Sequence, residues 1–105
     1  MNAKIVSYFG FALRARKVKF GVDDIDTARR GVCLVAMDCA LGESSKKTVQ
    51  KARERLGCPL LVVKAGALGE YLHKPAVKAV AITDKNLACA ILREAINDKD
   101  FEIQQ

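Results

Sequence analysis

Two short runs of residues, apolar on both strand faces, constrain the fold of this chain more than any other feature. They are Val32–Met37 and Pro59–Val63, and neither alternates with polar residues. A strand without a polar face is typical of the middle of a sheet that helices cover above and below. Pro59 fits the first position of such a strand, one of the few that tolerate proline. The two runs therefore predict a layered α/β fold.

Helices are predicted around these strands. Apolar residues at four-residue steps (Ile5, Phe9, Leu13) predict a first helix. A segment that begins with acidic residues and ends with basic ones predicts a second helix over Asp23–Arg30. A third helix is predicted to be capped by Ser44 or Ser45 and to end at Gly57. A short helix is predicted around Leu68–Leu72, and a last one is predicted to be capped by Thr83 or Asp84.

The remaining strands are short. The alternation of Lys17 and Lys19 with Val18 and Phe20 predicts an early strand with one wet face, and Val77–Ile82 predicts a last one. The tail, Lys99–Gln105, is expected to fray. Because helices and strands alternate with short connections, we expect one domain over residues 1–105, a three-layer α/β/α sandwich on a sheet of about four strands.

The composition indicates the kind of partner. Eighteen Lys and Arg against twelve Asp and Glu leave a net charge of +6, which favours polyanions, RNA or DNA before membranes. No run approaches the roughly 20 apolar residues of a membrane-spanning helix, and the first twelve residues lack the features of a cleavable leader. We therefore expect a cytoplasmic protein that binds no membrane.

Candidates for catalysis or metal binding are few. His73 is the only histidine, so a zinc site or a catalytic triad lacks partners, and the residues around Gly66 and Gly69 form no phosphate-binding loop. Cys39 is the best candidate for a reactive thiol, because it follows a buried strand and precedes a helix start. We expect no catalytic residue, no metal and no cofactor. A small enzyme that uses Cys39 is the weakest alternative.

The four cysteines show no CxxC spacing, which predicts reduced thiols and no disulfides. Cys33 lies within an apolar run and Cys89 on the apolar side of the last predicted helix, so we expect both to be shielded. Cys39 and Cys58 flank predicted turns and are expected to be partly open.

Basic residues fall into three groups along the chain. The groups are Arg14, Arg16, Lys17 and Lys19; Arg29 and Arg30; and Lys46, Lys47, Lys51, Arg53 and Arg55. The first and third lie beside turns, where backbone N–H groups of a helix start could accept a phosphate. Lys51, Arg53 and Arg55 are interpreted instead as the solvated face of a helix.

Several of these segments, taken in order, resemble one family. The apolar first helix, Arg14-Ala15-Arg16-Lys17-Val18, Gly21, Leu34-Val35-Ala36-Met37-Asp38, Ser45-Lys46-Lys47 and Pro59 are similar to the kink-turn-binding ribosomal proteins called L-seven-Ae, with their L-thirty-e relatives. The likeness is greatest to the short, bacterial-type, ribosome-associated members. It covers the first three quarters of the chain well and extends through Leu68-Gly69 and Thr83-Asp84.

The resemblance implies two surfaces that contact RNA. Family members set a glycine, an Asn or Asp, an acidic residue and a Lys of the second helix against the sheared G·A pairs of a kink-turn. Gly21 matches the glycine, Asp23 stands where the Asn or Asp would be, and Asp24 can fill the acidic place, with Val22 between Gly21 and Asp23. Thr27 stands where the Lys would be, on a helix about two residues shorter than usual. The second surface is a loop at His73–Val77, in which Lys74 would contact a phosphate and Ala76 and Val77 an extruded base.

The sequence thus predicts a non-enzymatic RNA-binding protein of ribosomal type whose partners are structured RNA, ribosomal or kink-turn-containing, and other ribosome-associated proteins. The expected contact residues are Arg14, Arg16, Lys17, Lys19, Gly21, Val22, Asp23, Asp24, Thr27, Lys46, Lys47, Lys74, Ala76 and Val77. The alternative is a protein of the same fold that has lost kink-turn recognition and acts as a protein-interaction module of the translation machinery. The missing Lys favours that alternative; the basic block and the net charge favour RNA binding.

Overall fold

The computed structural model describes residues 2–105, which form five helices and five strands on one sheet. In chain order these are α1 (Ala3–Arg14), β1 (Val18–Phe20), α2 (Gly21–Thr27), β2 (Leu34–Asp38), α3 (Glu43–Leu56), β3 (Leu60–Val63), α4 (Ala67–Leu72), β4 (Ala79–Ile82), α5 (Lys85–Ala95) and β5 (Glu102–Gln104). The predicted α/β class is confirmed.

Strand directions define one edge of the sheet that matters below. The strand order is β1-β4-β2-β3-β5; β2 and β3 are parallel, whereas β4 is antiparallel to β1 and β2, and β5 is antiparallel to β3. The carboxyl ends of β1, β2 and β3 therefore lie along the same edge as the amino ends of β4 and β5. We call this the carboxyl edge.

Two cores, one on each face of the sheet, form the three predicted layers. On one face α1, α4 and α5 pack over the sheet around Phe9, Leu68 and Ile91. On the other face α2 and α3 cover it through Ile25 and Val49. All five residues of β2 and all four of β4 are buried, which explains why these strands have no polar face.

The sheet has five strands, against about four predicted, and the predicted fraying of the tail is wrong. Residues 102–104 pair with β3, where Ile103 lies opposite Leu61, and both Phe101 and Ile103 pack against the first core. An ion pair of 2.9 Å between Lys64 and Asp100 precedes the strand. The tail folds because its two apolar residues, two positions apart, reach the same face of the sheet.

The second helix ends three residues earlier than predicted, at Thr27, so Arg29 and Arg30 lie beyond it. Ala28 is already extended (ψ 139°). The Arg55 guanidinium of α3 donates to the carbonyl oxygens of Asp26 at 2.9 Å and Ala28 at 2.7 Å. Arg55 is exposed, as expected for the solvated face of α3, and it also satisfies carbonyls at the end of α2.

Two predicted helix caps have different outcomes. Helix α3 begins at Glu43, with Gly42 as its N-cap and no side-chain cap bond, so the expected cap at Ser44 or Ser45 is wrong. Its end at Gly57, in the left-handed conformation, is as predicted. Asp84 caps α5 by accepting a hydrogen bond from the Leu87 N–H at 3.0 Å, which confirms the second of the two residues proposed there.

The cysteine environments partly reverse the prediction. All four thiols are free; Cys39 is exposed as expected, but Cys58 is buried, Cys89 is exposed and Cys33 is half-buried. Cys58 follows the left-handed turn at Gly57 and packs into the second core, whereas Cys89 faces outward from α5. Nearness to a turn did not predict exposure.

None of the helices between residues 2 and 105 is both long enough and apolar enough to cross a bilayer.

Candidate nucleic-acid interface

The start of α2 depends on a glycine. Gly21 directly follows the extended Phe20 and has a φ of +88°, a conformation that residues with a side chain rarely adopt. An added Cβ would meet no atom within 4 Å, so the requirement is conformational and leaves open space beside the backbone. Asp23 and Asp24 lie in the first turn and are exposed, and Val22 is half-buried against the second core.

The loop at residues 73–77 is fixed by close backbone contacts. A Cβ on Gly69 of α4 would lie 2.8 Å from the Lys74 carbonyl oxygen and 3.1 Å from the Pro75 Cα, so only glycine permits this approach. The Lys74 N–H donates to the Gly69 carbonyl at 2.9 Å, and the Val77 N–H donates to the Lys74 carbonyl at 2.9 Å. The loop is therefore a rigid turn whose Lys74 and Ala76 are exposed.

A buried carboxylate ties this loop region to the sheet. Asp38, only 2% exposed at the end of β2, accepts hydrogen bonds from the Ala40 N–H at 2.7 Å and the Gly66 N–H at 2.8 Å. Its own N–H donates to the Lys78 carbonyl at 2.8 Å. Asp38 thus fixes the ends of β2, α4 and the loop relative to one another at the carboxyl edge.

The two surfaces that the sequence predicted as RNA contacts lie side by side. Phe20 pairs with Val80 in the sheet, and the Lys74 ammonium lies 5.3 Å from the centroid of the Phe20 ring, a cation–π contact across the two segments. Gly21–Asp24 and Lys74–Val77 together form what we call the glycine–loop surface. Val77 itself is half-buried and packs against the first core, which leaves Ala76 as the more exposed apolar contact.

Thr27 lies at the far end of α2, about 9 Å along the helix axis from Gly21 at 1.5 Å per residue. Its hydroxyl donates to the Asp23 carbonyl at 3.0 Å, so the donor is used within the helix. With Asp23, Asp24 and Asp26 all exposed, Lys74 is the one cation among the residues of the glycine–loop surface. This surface is defined by backbone shape more than by positive charge.

Three residues of the first basic group lie at the opposite end of β1 from Gly21. Arg14 is in the last turn of α1, and Arg16 and Lys17 link it to β1, where the Lys17 carbonyl accepts from the Thr83 N–H at 2.8 Å. From Lys17 to Gly21 the strand spans about 13 Å at 3.3 Å per residue. Lys19 is exposed midway along this edge strand. Within this group, Lys19 is therefore the residue nearest to Gly21, whereas Arg14, Arg16 and Lys17 lie at the far end of β1.

Arg16 adopts an unusual conformation for its residue type. The Lys17 N–H donates to the Ala12 carbonyl at 2.9 Å and the Arg16 N–H donates to the Leu13 carbonyl at 3.1 Å, the paired bonds of a Schellman motif. Arg16 has a φ of +59° at the position that glycine usually occupies. We call Arg14, Arg16 and Lys17 the α1 cation cluster; none of these side chains forms an ion pair within residues 2–105.

Lys46 and Lys47 lie on neither surface. They are in the first two turns of α3 and line an open groove of about 610 Å³ whose floor includes Met37 and Val62. The Lys46 ammonium is 3.7 Å from a Glu43 carboxylate oxygen. This groove lies over β3 and β5, about 14 Å across the sheet from β1 at three strand spacings, so the two lysines are separate from the glycine–loop surface.

Sequence reasoning missed three residues that support these surfaces. Gly69 and Phe20 position the loop, and Phe11 is exposed beside the α1 cation cluster. A glycine within a six-residue helix was a signal for close backbone approach. An aromatic residue on the polar side of an amphipathic helix was a signal for a surface contact.

Within residues 2–105, no group of three or more His, Cys, Asp and Glu side chains is arranged to hold a metal ion. Cys39 is exposed at the rim of the groove that Lys46 and Lys47 line.

No family model and no curated protein matches the chain. A solved structure that is similar to it is that of a protein with unknown function from Bacillus halodurans, with a TM-score of 0.78 and 24% sequence identity over 88% of this chain and 96% of that one. At that identity the likeness supports the fold.

Proposed function

We propose that this is a non-enzymatic, cytoplasmic RNA-binding protein of ribosomal type that recognises kink-turn-like structured RNA through the glycine–loop surface. The observation that carries the proposal is the junction of Gly21 with the loop, where the Lys74 ammonium lies 5.3 Å from the Phe20 ring. Two segments 50 residues apart in the sequence, each matched to an RNA contact by family resemblance, share one rigid surface.

The chemistry of the surface suits a sharply bent RNA. The open space beside Gly21 allows a backbone or base edge to approach the first turn of α2, where the carboxylates of Asp23 and Asp24 can accept hydrogen bonds from amino groups of bases. Lys74 supplies a phosphate contact, and Pro75 with Ala76 supplies an exposed apolar patch for a splayed base.

One observation favours the second candidate, a protein-interaction module of the translation machinery. The exposed side chains of α2 include Asp23, Asp24 and Asp26, and the Thr27 hydroxyl is occupied by a carbonyl of its own helix. An acidic helix without a basic donor repels phosphates and suits a basic protein partner. This candidate predicts that the protein binds no kink-turn RNA at physiological salt.

The deciding experiment measures binding to a kink-turn RNA and to a duplex of the same length without the tandem G·A pairs, each at two salt concentrations. We expect tighter binding of the kink-turn at both salts. Equal affinities that fall together steeply with salt would reduce the interaction to charge alone, and absence of binding would favour the protein-interaction module.

A matched pair of variants tests the surface itself. Gly21→Ala and Gly57→Ala both place a side chain at positive φ (+88° and +67°) with no atom within 4 Å of the new Cβ. Each is expected to cost about 1 to 2 kcal/mol of stability. Only Gly21→Ala is expected to remove the preference for the kink-turn, because Gly57 lies at the far end of α3. Equal RNA affinities of the two variants would contradict the proposed site.

A further inference from the structure

An aromatic ring is exposed near the C-terminal end of α1, beside Arg14. Phe11 is 47% exposed, one of two exposed large hydrophobic side chains in residues 2–105; the other is Ile96, at the C-terminal end of α5. The apolar stripe of α1 runs through Ile5, Phe9 and Ala12, and Phe11 lies outside it. Core packing therefore does not account for Phe11.

Neighbouring side chains hold the ring in place. The Arg14 guanidinium carbon lies 5.0 Å from the centroid of the Phe11 ring, and the Tyr8 ring lies 6.5 Å away at an interplanar angle of 57°. The three residues follow one another at three-residue steps, so they form one strip along the helix. An aromatic ring with a planar guanidinium beside it offers a π surface on which any nucleobase can stack.

The charge around this strip is unneutralised. Arg14, Arg16 and Lys17 are exposed, and none forms an ion pair with another of the described residues. By contrast Lys4, at the other end of α1, lies 3.9 Å from a Glu94 carboxylate oxygen. Free cations therefore concentrate at the end of α1 that carries the exposed ring, a combination that complements a polyanion with accessible bases.

We propose that Tyr8, Phe11 and Arg14 form a stacking platform for an unpaired base of single-stranded RNA, with Arg16 and Lys17 on the flanking phosphates. Base-paired RNA buries its base faces in the helical stack, so a single strand is the ligand that this combination fits. Arg16 and Lys17 are separated from Gly21 by the length of β1, and stacking of an unpaired base requires no kinked RNA. The platform is thus a second contact, independent of kink-turn recognition.

The chain contains no tryptophan, so Phe11→Trp introduces a single fluorescent reporter into the platform. The ligands are an oligoadenylate of about ten nucleotides, within the usual site sizes for single strands, and an abasic oligonucleotide of the same length and charge. We expect the oligoadenylate to quench the tryptophan fluorescence on binding and the abasic strand to bind more weakly without quenching. Equal affinity for both strands, or binding without quenching, would overturn the platform.

Two further variants separate the ring from exposed hydrophobic surface in general. Phe11→Ala is expected to weaken oligoadenylate binding at least about fivefold, the lower limit for one stacked base. Ile96→Ala, which removes the other exposed apolar side chain, is expected to leave it unchanged. An unchanged affinity of Phe11→Ala would overturn the proposal, as would a dimer of the unmodified protein that Phe11→Ala dissociates. Kink-turn affinity of Phe11→Ala is read separately, so that failure of either proposal is distinguishable.

Discussion

The glycine–loop surface and the α1 cation cluster lie at opposite ends of β1 and differ in their chemistry. The first consists of a backbone at positive φ, a steric contact between Gly69 and the loop, two exposed carboxylates on α2 and one lysine. The second consists of three cations without an ion pair, and the exposed Phe11 ring lies beside them. The first surface is distinguished by its backbone shape and carries little positive charge, whereas the second is distinguished by its positive charge.

This difference matters because the two properties do separate work in nucleic-acid binding. Contacts to phosphates supply affinity and salt dependence but carry no sequence information, whereas shape and base-edge contacts select a particular structure. We therefore expect that substitutions at the two surfaces change different observables. Those at the glycine–loop surface change the preference between RNAs, and those at the cluster change the affinity for all of them.

The largest effect is expected from Gly69→Ala. The new Cβ would lie 2.8 Å from the Lys74 carbonyl oxygen, a backbone atom that moves only if the loop moves. We expect a loss of about 1 to 3 kcal/mol of stability, as for other overpacked sites, together with loss of kink-turn preference and unchanged binding of single-stranded RNA. Chemical denaturation and RNA titrations measure the three quantities.

Gly10→Ala is the matched control, because it also adds one methyl group within a helix. No atom lies within 4 Å of the new Cβ, so we expect a gain of about 0.5 to 1 kcal/mol and no change in RNA preference. A Gly69→Ala protein as stable as the unmodified one would show that the loop is not held as described.

The next effect tests the missing lysine. Thr27→Lys places a cation at the end of α2 in exchange for a hydroxyl bonded to the Asp23 carbonyl. If the new side chain reaches a guanine edge, kink-turn affinity rises by about 1 to 3 kcal/mol. The duplex without G·A pairs is the control: an equal gain for both RNAs indicates only added charge, and no gain means that the short helix leaves this position out of reach.

A smaller effect, with opposite signs for stability and binding, is expected from Arg16→Gly. Because Arg16 has a φ of +59°, glycine relieves the conformation, and stability is expected to stay equal or rise by up to about 1 kcal/mol. Loss of one phosphate contact lowers the affinity for every RNA and reduces the slope of log affinity against log salt by about 1. An unchanged slope would remove Arg16 from the RNA contacts.

The sequence predicted the layered fold well because its strongest signals are local. Both fully apolar runs became central strands, and the C-terminal end of α3 and the start of α5 followed from Gly57 and Asp84. The predictions that failed concern segments whose structure depends on tertiary contacts. Strand β5 exists because Phe101 and Ile103 reach a core formed by distant residues, and α2 ends early where Arg55, 29 residues away from Asp26, binds its carbonyls.

The candidate site was predictable in part for the same reason. Family resemblance named Gly21 and the loop, and a glycine that requires positive φ is visible as a residue type. The separation of the α1 cation cluster from Gly21 was not visible, because four residues in sequence become about 13 Å only once they form an extended strand. The exposure of Phe11 was visible in part, because Phe11 lies outside the predicted apolar stripe of Ile5, Phe9 and Leu13, but its contact with the Arg14 guanidinium was not.

The smallest expected effect is on the alkylation rates of the cysteine thiols. Bound RNA that covers a thiol would slow its alkylation without changing the fold. Cys39 and Cys89 are exposed, and Cys39 lies beside Lys46 and Lys47 near the carboxyl edge. Burial raises the pKa of the Cys58 thiol, partly offset by the nearby Arg53 charge, so its thiolate fraction is low at neutral pH. Timed alkylation read by mass is therefore expected to label Cys39 and Cys89 first and Cys58 last.

Kink-turn RNA is then expected to slow the labelling of Cys39 severalfold if Lys46 and Lys47 contact RNA, and to leave Cys89 on α5 unchanged as the internal control. Equal protection of Cys39 and Cys89 would indicate that RNA covers one continuous surface of the protein and not separate surfaces. Modification of Cys39 in the free protein faster than a model thiol would point elsewhere, to an activated thiolate and the enzymatic alternative, because at neutral pH only a depressed pKa supplies so large a reactive fraction.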